Sequence, residues 1–192
     1  AFKKGAVKEG TDILAGENEL YELPTEPFSG IEQLCWSPDS RFIAYSCRKL
    51  TGKKYAFSTN TEIYIYNVTT GECGMIDKGS QKMDGYDTDP VWSPDGNSLA
   101  WISMERDGYE ADRQRLMVAC VDWSTVKEDG SGLPSVKHPE TIDFKYNVTA
   151  PVWSDDSQDI YFSALAEGIQ GIYKCHYEKN GEGCWERVTG ED

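Results

Sequence analysis

Basic residues are scarce in this sequence, and long apolar runs are missing from it. Its 19 lysines and arginines stand against 33 aspartates and glutamates, which gives a formal net charge of −14. Such an acidic chain repels phosphate backbones and anionic lipid surfaces, so we expect no nucleic-acid partner. The longest apolar run, LMVACV at 116–121, is far shorter than the roughly 20 residues of a membrane-spanning helix, and the N-terminal AFKKGAVKEG lacks an apolar signal region. We therefore predict neither a membrane span nor a targeting segment.

Cysteine patterns typical of metal sites are also missing. None of the six cysteines forms a CxxC pair or lies near a histidine cluster, so the sequence predicts no zinc site and indicates no cofactor. One pair could still be bonded. A hairpin that turns at Asn180 and Gly181 can bring Cys175 opposite Cys184, within reach of a disulfide. Reduced, partly buried thiols are the alternative.

The sequence lacks the motifs of a serine hydrolase. It contains no GxSxG nucleophile elbow and no HGG-type oxyanion segment. Only two histidines are available as bases: His138 in a loop-like stretch and His176 on a predicted strand. We therefore assign no catalytic residue, and we expect this chain by itself not to be an enzyme.

A repeated motif is the strongest positive signal. The stretches LCWSPDSRFIAY at 34–45, VWSPDGNSLAW at 91–101 and PVWSDDSQDIYF at 151–162 recur at spacings of about 60 residues. Their Ser-Pro-Asp-Gly core favours a type I turn, so the acids are best explained as turn-formers. The three aspartates are Asp39, Asp95 and Asp156.

The third copy departs from this pattern. Asp155 replaces the proline and Ser157 replaces the glycine, so we expect a turn that is less rigidly preset. The tryptophan before each turn is interpreted as a core residue that packs one repeat on the next. These tryptophans are Trp36, Trp92 and Trp153.

Each repeat predicts about four short antiparallel strands. An alternating strand follows each turn, a third strand follows after a loop, and a fourth is indicated by CGMID, TIDF and CWERVT. Helix signals are almost absent, and only 108–115 indicates a turn. A four-stranded sheet cannot bury both faces alone, whereas radial stacking of such sheets can.

We therefore predict an all-β fold, a partial β-propeller of about three blades plus part of a preceding blade. The blades are assigned to 30–84, 85–147 (with long loops) and 148–192. Residues 1–29 are assigned to the tail of the preceding blade and its connection, with a strand-like ELYEL at 19–23.

Longer stretches carry a resemblance to a known family. The segments CRKLTGKKYAFSTNTEIYIYNVTTGE at 47–72, YDTDPVWSPDG at 86–96 and SMERDGYEADRQRL at 103–116 resemble the N-terminal propeller of bacterial dipeptidyl-peptidases in the prolyl oligopeptidase family of serine peptidases. The resemblance implies a non-catalytic propeller that gates the access of short peptides to a C-terminal α/β-hydrolase domain beyond residue 192. It also implies a bacterial cell envelope, most simply the periplasm.

The loop at 104–115 is the candidate binding segment. By resemblance, a propeller carboxylate holds the free α-amino group of a peptide, because a buried ammonium needs a paired anion. Glu110 is the first candidate and Glu105 the second, while Arg106 and Arg113 are possible clamps for a carboxylate or carbonyl group. Tyr109 completes the set. The alternative is a solvated loop held by its own ion pairs, such as Arg106 with Glu110 or Asp112 with Arg115.

Two other charged stretches have simpler explanations. The basic loop at 48–55 could bind a substrate carboxylate, an idea that rests on charge alone. The acidic run Asp84, Asp87 and Asp89 suggests calcium, but it lacks the spacing of an EF-hand loop, and a turn into the next blade explains it better.

A different functional class stays open. A TolB-like propeller can act as a module for protein–protein interaction with no hydrolase attached. Uncovered blade faces would also favour self-association of the chain.

Overall fold

A computed structural model describes residues 10–23, 30–177 and 184–189, and the regular secondary structure within them consists almost entirely of β-strands. The first sheet contains β1 (Leu34–Trp36), β2 (Phe42–Cys47), β3 (Glu62–Asn67) and β4 (Cys73–Met75). The second contains β5 (Asp87–Trp92), β6 (Ser98–Ser103), β7 (Arg115–Asp122) and β8 (Ser135–Thr141). The third contains β9 (Thr149–Trp153), β10 (Asp159–Ala166), β11 (Ile169–His176) and β12 (Cys184–Arg187).

Each sheet is an antiparallel meander in which strands that follow one another in sequence are hydrogen-bonded neighbours. Two single-turn 3₁₀ helices, Ile31–Gln33 and Trp123–Thr125, and one short helix, α1 (Gly52–Phe57), complete the described structure. The sequence did not predict α1, because a six-residue helix is too short to show an apolar period.

Two predicted strand positions were wrong. The fourth strand of the second sheet is Ser135–Thr141 and not TIDF, so His138 lies on a strand. The stretch 19–23 forms no strand; Tyr21 and Leu23 instead pack against the outer face of the first sheet. These two side chains therefore pack on a sheet although the segment does not join it as a strand.

The sheets stack face to face in sequence order. Between the first and second sheets lies an apolar layer that includes Phe42, Trp92 and Trp101. Between the second and third lies another that includes Phe144 and Trp153. Consecutive four-stranded meanders stacked in this way are the arrangement of neighbouring propeller blades, so the predicted partial β-propeller is confirmed.

The repeated tryptophans do not share one environment. Trp92 and Trp153 are buried between sheets, as predicted. Trp36 is 49% exposed, so its assignment to a core between repeats was wrong for this chain. It lies on the same face of the first sheet as its cross-strand partner Ile43, and the described chain places no sheet against that face. An equivalent sequence position is therefore buried only where a neighbouring sheet exists.

The three turns after these tryptophans have the same geometry. In each turn a serine hydroxyl donates to the aspartate two residues later, at 2.7 Å to Asp39 and 2.6 Å to both Asp95 and Asp156. The position after each aspartate has a left-handed backbone, with φ of 59° at Ser40, 72° at Gly96 and 61° at Ser157. The third turn is thus as well formed as the others, and Ser157 Oγ also accepts a hydrogen bond from the Asp95 amide at 3.0 Å.

The hairpin that carries the cysteine pair has a different register from the one expected. Cys175 lies opposite Trp185, and Cys184 lies opposite His176. The two cysteines are therefore not direct cross-strand partners. The turn predicted at Asn180 and Gly181 lies outside the described residues.

Candidate functional site

The candidate loop emerges at the end of the sheets opposite the three repeated turns. Ser103 pairs with Arg115 where β6 meets β7, and Cys47 pairs with Glu62 where β2 meets β3. The loops closed by these pairs, 48–61 and 104–114, are therefore equivalent connections of neighbouring sheets. Propeller loops at one end form a common surface, which is where a scaffold presents binding residues.

Asp112 organises the candidate loop from within. Its carboxylate accepts hydrogen bonds from the backbone amides of Glu105 (3.1 Å), Arg106 (2.9 Å) and Arg113 (3.0 Å). The same carboxylate accepts from Arg106 Nε at 3.2 Å and Nη2 at 2.9 Å. Hydrogen bonds to the charged form, those from Arg106 above all, lower the pKa of Asp112 to about 2.

This arrangement corrects the expected ion pairs. Arg106 pairs with Asp112 and not with Glu110, and its guanidinium lies 4.0 Å from the centre of the Tyr109 ring. Arg115 is buried and donates to the Ser103 and Lys82 carbonyl oxygens. These two arginines were misassigned because a charge pattern cannot show which of several nearby carboxylates a guanidinium meets.

Asp107 ties the candidate loop to the first sheet. Its carboxylate accepts from Ser58 Oγ and from the Thr59 amide, both at 2.8 Å. The Gly108 amide returns a bond to Thr59 Oγ1 at 2.9 Å. The loop of one blade is therefore fastened to the loop of the blade before it.

Glu110 lies on the 104–114 loop. Its side chain is exposed, and its carboxylate lies near the hydroxyl of the buried Tyr86. Burial and this carboxylate raise the pKa of Tyr86, while the nearby Arg48 lowers it. Arg48, in turn, lies 3.9 Å from the centre of the Tyr55 ring. Tyr86 is thus influenced by a carboxylate from the 104–114 loop and by a guanidinium from the 48–61 loop.

Two further candidates, Glu105 and Arg113, also lie on the 104–114 loop. Glu105 is half-exposed and meets Lys82 across 3.8 Å, and the side chain of Arg113 is exposed. The backbone at Gly85 closely approaches the backbone of the 104–114 loop. A Cβ atom on Gly85 would lie 2.9 Å from the Arg106 carbonyl oxygen. Glycine at 85 is therefore required where the two chain segments meet.

The basic stretch at 48–55 does not form one basic surface. Arg48 is buried and donates to the Ser58 carbonyl oxygen at 3.0 Å, and Lys49 pairs with Glu17. Lys53 and Lys54 lie exposed on α1. Two of the four cations thus have structural partners, which weakens the case for this stretch as a carboxylate site.

A buried charged cluster lies below the loops, between the first and second sheets. Asp87 is fully buried, and its Oδ2 lies 3.8 Å from Lys78 Nζ, which also pairs with Glu62 at 2.7 Å. Burial raises the pKa of Asp87 to about 8, although Ser103, Lys78 and Arg115 act in the opposite direction. A neutral Asp87 side chain is thus favoured at neutral pH.

Sequence reasoning missed an acidic cavity at the first strand of the second sheet. A cavity of about 240 Å³ is lined by residues that include Glu32, Tyr86 and Asp89. Burial, with a smaller contribution from the charge of Glu32, raises the pKa of Asp89 to about 6. Asp89 has a φ of 52°, and its counterpart before the third repeated turn, Ala150, has a φ of 50°. Aligning the second and third repeats places Asp89 opposite Ala150. The acidic side chain at one of two equivalent positions is the sequence signal that could have marked this site.

Both histidines are exposed and lie on strands, His138 on β8 and His176 on β11. His176 Nδ1 contacts Asp159 Oδ1 at 2.8 Å on the outer surface of the third sheet. Across 10–23, 30–177 and 184–189, no group of three or more His, Cys, Asp or Glu side chains is arranged to hold a metal ion. No helix in this part of the chain is long and apolar enough to cross a membrane.

The fold is that of a β-propeller segment, and its 48–61 and 104–114 loops form a charged surface held by hydrogen bonds between the loops. In sequence, the chain is 48% identical over 170 residues to dipeptidyl-peptidase 5 of Porphyromonas gingivalis, a match that covers 88% of this chain and 22% of that protein. It is 46% identical over 112 residues to dipeptidyl-peptidase 5 of Porphyromonas endodontalis, covering 58% of this chain and 16% of that protein. No protein-family model matches the chain.

A solved structure supports the fold. A puromycin-hydrolysing peptidase of Mycobacterium tuberculosis superposes with a TM-score of 0.53 at 18% identity, over 83% of this chain and 23% of that one. The sequence matches to dipeptidyl-peptidase 5, and not this superposition, confirm the resemblance to dipeptidyl-peptidases. The chain spans about a fifth of the length of the curated relatives that it matches.

Proposed function

We propose that this chain is the non-catalytic propeller segment of a dipeptidyl-peptidase-like serine peptidase. The observation that carries the proposal is its 48% identity, over 88% of its length, to a protein named dipeptidyl-peptidase 5. The sequence has no GxSxG motif, so the nucleophile, the base and the oxyanion hole would belong to an α/β-hydrolase domain beyond residue 192.

The role of the segment would be to restrict entry to short peptides. A propeller placed over a hydrolase site presents one loop surface to the substrate, and the surface with 48–61 and 104–114 is the structured candidate. The partners in this proposal are the hydrolase domain and short peptides, in the periplasm or cell envelope of a bacterium. Cell fractionation with an antibody against the chain tests the location.

Glu110 would hold the free α-amino group of the peptide. Its carboxylate is exposed to a ligand and lies near the buried Tyr86 hydroxyl. Arg106 is occupied by Asp112, so in this proposal it shapes the loop and stacks on Tyr109. Glu105 and Arg113 would contact later residues of a peptide.

The hydrolase part is tested by sequencing the gene beyond the codon for Asp192. An open frame of several hundred codons with GxSxG, then Asp and His, supports the proposal. An early stop codon would refute it and favour a propeller module that binds another protein.

The anchoring part is tested by Glu110→Ala in the peptidase that contains this chain. We expect KM for peptides with a free amino terminus to rise about tenfold or more, because a charge-assisted hydrogen bond is lost. Peptides with an acetylated amino terminus should be unaffected, and kcat should change little. Equal losses on both substrates would refute anchoring at Glu110.

A further inference from the structure

The carboxylate of Asp107 has no ligand role in the proposed function, yet it connects two blades at the base of the candidate loop. It accepts two hydrogen bonds of 2.8 Å from Ser58 and Thr59, which follow α1 in the loop of the first sheet. These bonds, above all the one from the Ser58 hydroxyl, outweigh the effect of burial and lower the pKa of Asp107. The bond from the Gly108 amide to Thr59 makes the connection reciprocal.

Glu110 lies between this connection and a second fixed point. Three residues before it, Asp107 holds the chain to the first sheet. Two residues after it, Asp112 holds the chain to Arg106, and the Asp112 amide closes a turn by donating to the Tyr109 carbonyl oxygen at 3.1 Å. A carboxylate on an exposed loop loses little conformational entropy on binding when the backbone on both sides of it is already fixed.

We propose that Asp107 is a positioning residue that makes the Glu110 site a composite of two blades. It acts through the backbone of 107–110, which it holds against Ser58 and Thr59, and so keeps the Glu110 carboxylate near Tyr86. This inference rests on the proposed function, because it assigns to Asp107 the orientation of the carboxylate that would bind a peptide amine.

The chain offers a matched control for this aspartate. Asp156 also accepts one serine hydroxyl, at 2.6 Å, and one backbone amide, at 3.1 Å, but it lies in the repeated turn at the opposite end of the third sheet. Asp107→Asn and Asp156→Asn therefore remove one carboxylate with similar local bonding. Only the first change lies next to Glu110.

The test measures binding of two probes to this chain by NMR titration. One probe is a tripeptide amide with a free α-amino group, and the other is the same tripeptide with an acetylated amino group. We expect a preference for the free amine that is lost in Glu110→Ala, falls about fivefold in Asp107→Asn and is unchanged in Asp156→Asn. Ser58→Ala should reproduce most of the Asp107→Asn effect, and the double variant should add little to it.

Hydrogen exchange separates positioning from general destabilisation. The Thr59 and Gly108 amides should exchange faster in Asp107→Asn, while amides in β6 and β7 keep their protection. Loss of preference in Glu110→Ala without any loss in Asp107→Asn would overturn the positioning role alone. Equal losses in Asp107→Asn and Asp156→Asn would also overturn it. No preference in the unaltered chain, or no effect of Glu110→Ala, would overturn the amine site and the positioning role together.

Discussion

The connections at the two ends of the sheets differ in how uniform they are. At one end, three turns with the same serine–aspartate bonding and the same left-handed residue join the first two strands of each sheet. At the other end, the connections between the second and third strands are 48–61, 104–114 and 167–168, which differ in length, charge and structure. The repeated end maintains the fold, and the variable end can carry a function without disturbing it.

The comparison also shows how each end uses aspartate. Asp39, Asp95 and Asp156 close their own turns through neighbours two residues away. At the variable end, Asp107 accepts from Ser58 in the neighbouring loop, and Asp112 accepts from Arg106 six residues away as well as from the adjacent Arg113 amide. The same carboxylate chemistry therefore fixes a local turn at one end and a tertiary arrangement at the other.

The largest expected effect tests the tryptophans that lead into the repeated turns. Trp153→Ala should lower the free energy of unfolding by about 3 to 5 kcal/mol, because a buried indole that donates to the Val91 carbonyl oxygen is lost. Trp36→Ala should cost about 1 kcal/mol or less, since half of this side chain is already exposed. Urea denaturation of both variants measures the difference, and equal losses would contradict the assigned environments.

A pH-dependent effect is expected from the buried cluster under the variable end. The pKa of Asp87 is raised from 3.8 to about 8, so between these values the folded chain keeps a proton that the unfolded chain has lost. Its contribution to stability therefore falls as pH rises, by up to about 1.4 kcal/mol per pH unit. Asp87→Asn should remove this slope and make the chain more stable than the unaltered protein near pH 8.

Urea denaturation of both proteins at pH 5, 6, 7 and 8 measures this slope. Lys78, Glu62 and Arg115 are the charged groups that face Asp87, and they are present in both proteins. A stability difference that stays constant with pH would show that Asp87 is ionised in the folded chain.

An intermediate effect separates the two kinds of aspartate. Asp112→Asn should destabilise the chain by about 1 to 3 kcal/mol at pH 7, because the Arg106 guanidinium and three backbone amides lose a charged acceptor. Asp156→Asn should have a smaller effect, because its bonds are exposed and local.

The contribution of Asp112 to stability changes with pH in the opposite direction to that of Asp87. The pKa of Asp112 is lowered from 3.8 to about 2, so its contribution is present above pH 4 and is lost as pH falls through 2. The gap between the Asp112→Asn variant and the unaltered chain should therefore narrow between pH 4 and pH 2 in thermal denaturation. A gap of constant size would argue against the charged acceptor.

The smallest expected effect concerns the left-handed residue of the repeated turns. Ser40→Gly should stabilise the chain by a few tenths of a kcal/mol up to about 1 kcal/mol, because glycine adopts a φ of 59° without strain. Gly96→Ala should destabilise it by a similar amount, since an added Cβ would meet no atom closer than 3.7 Å and only the backbone would be strained. Thermal denaturation should show opposite shifts, and shifts of the same sign would contradict the shared turn geometry.

Much of the fold was predictable from the sequence because it depends on local patterns. Alternation identified β2, β6 and β10, and turn chemistry identified the three repeated turns. The candidate loop was placed correctly between β6 and β7 for the same reason. Helix α1 and strand β8 were missed, because a six-residue helix and a strand with Pro139 carry weak local signals.

The sequence by itself determined the repeat, the propeller class and the loop that carries Glu110, since strand periods and turn residues act over a few positions. Tertiary structure alone decided that Arg106 meets Asp112, that Asp87 is buried beside Lys78, and that Trp36 faces no sheet within the described chain. These outcomes depend on which residues of different sheets and loops come together. Burial and charge pairing arise only when the sheets and loops are packed together. They shift the pKa values of the carboxylates, which the pattern of strands in the sequence does not reveal.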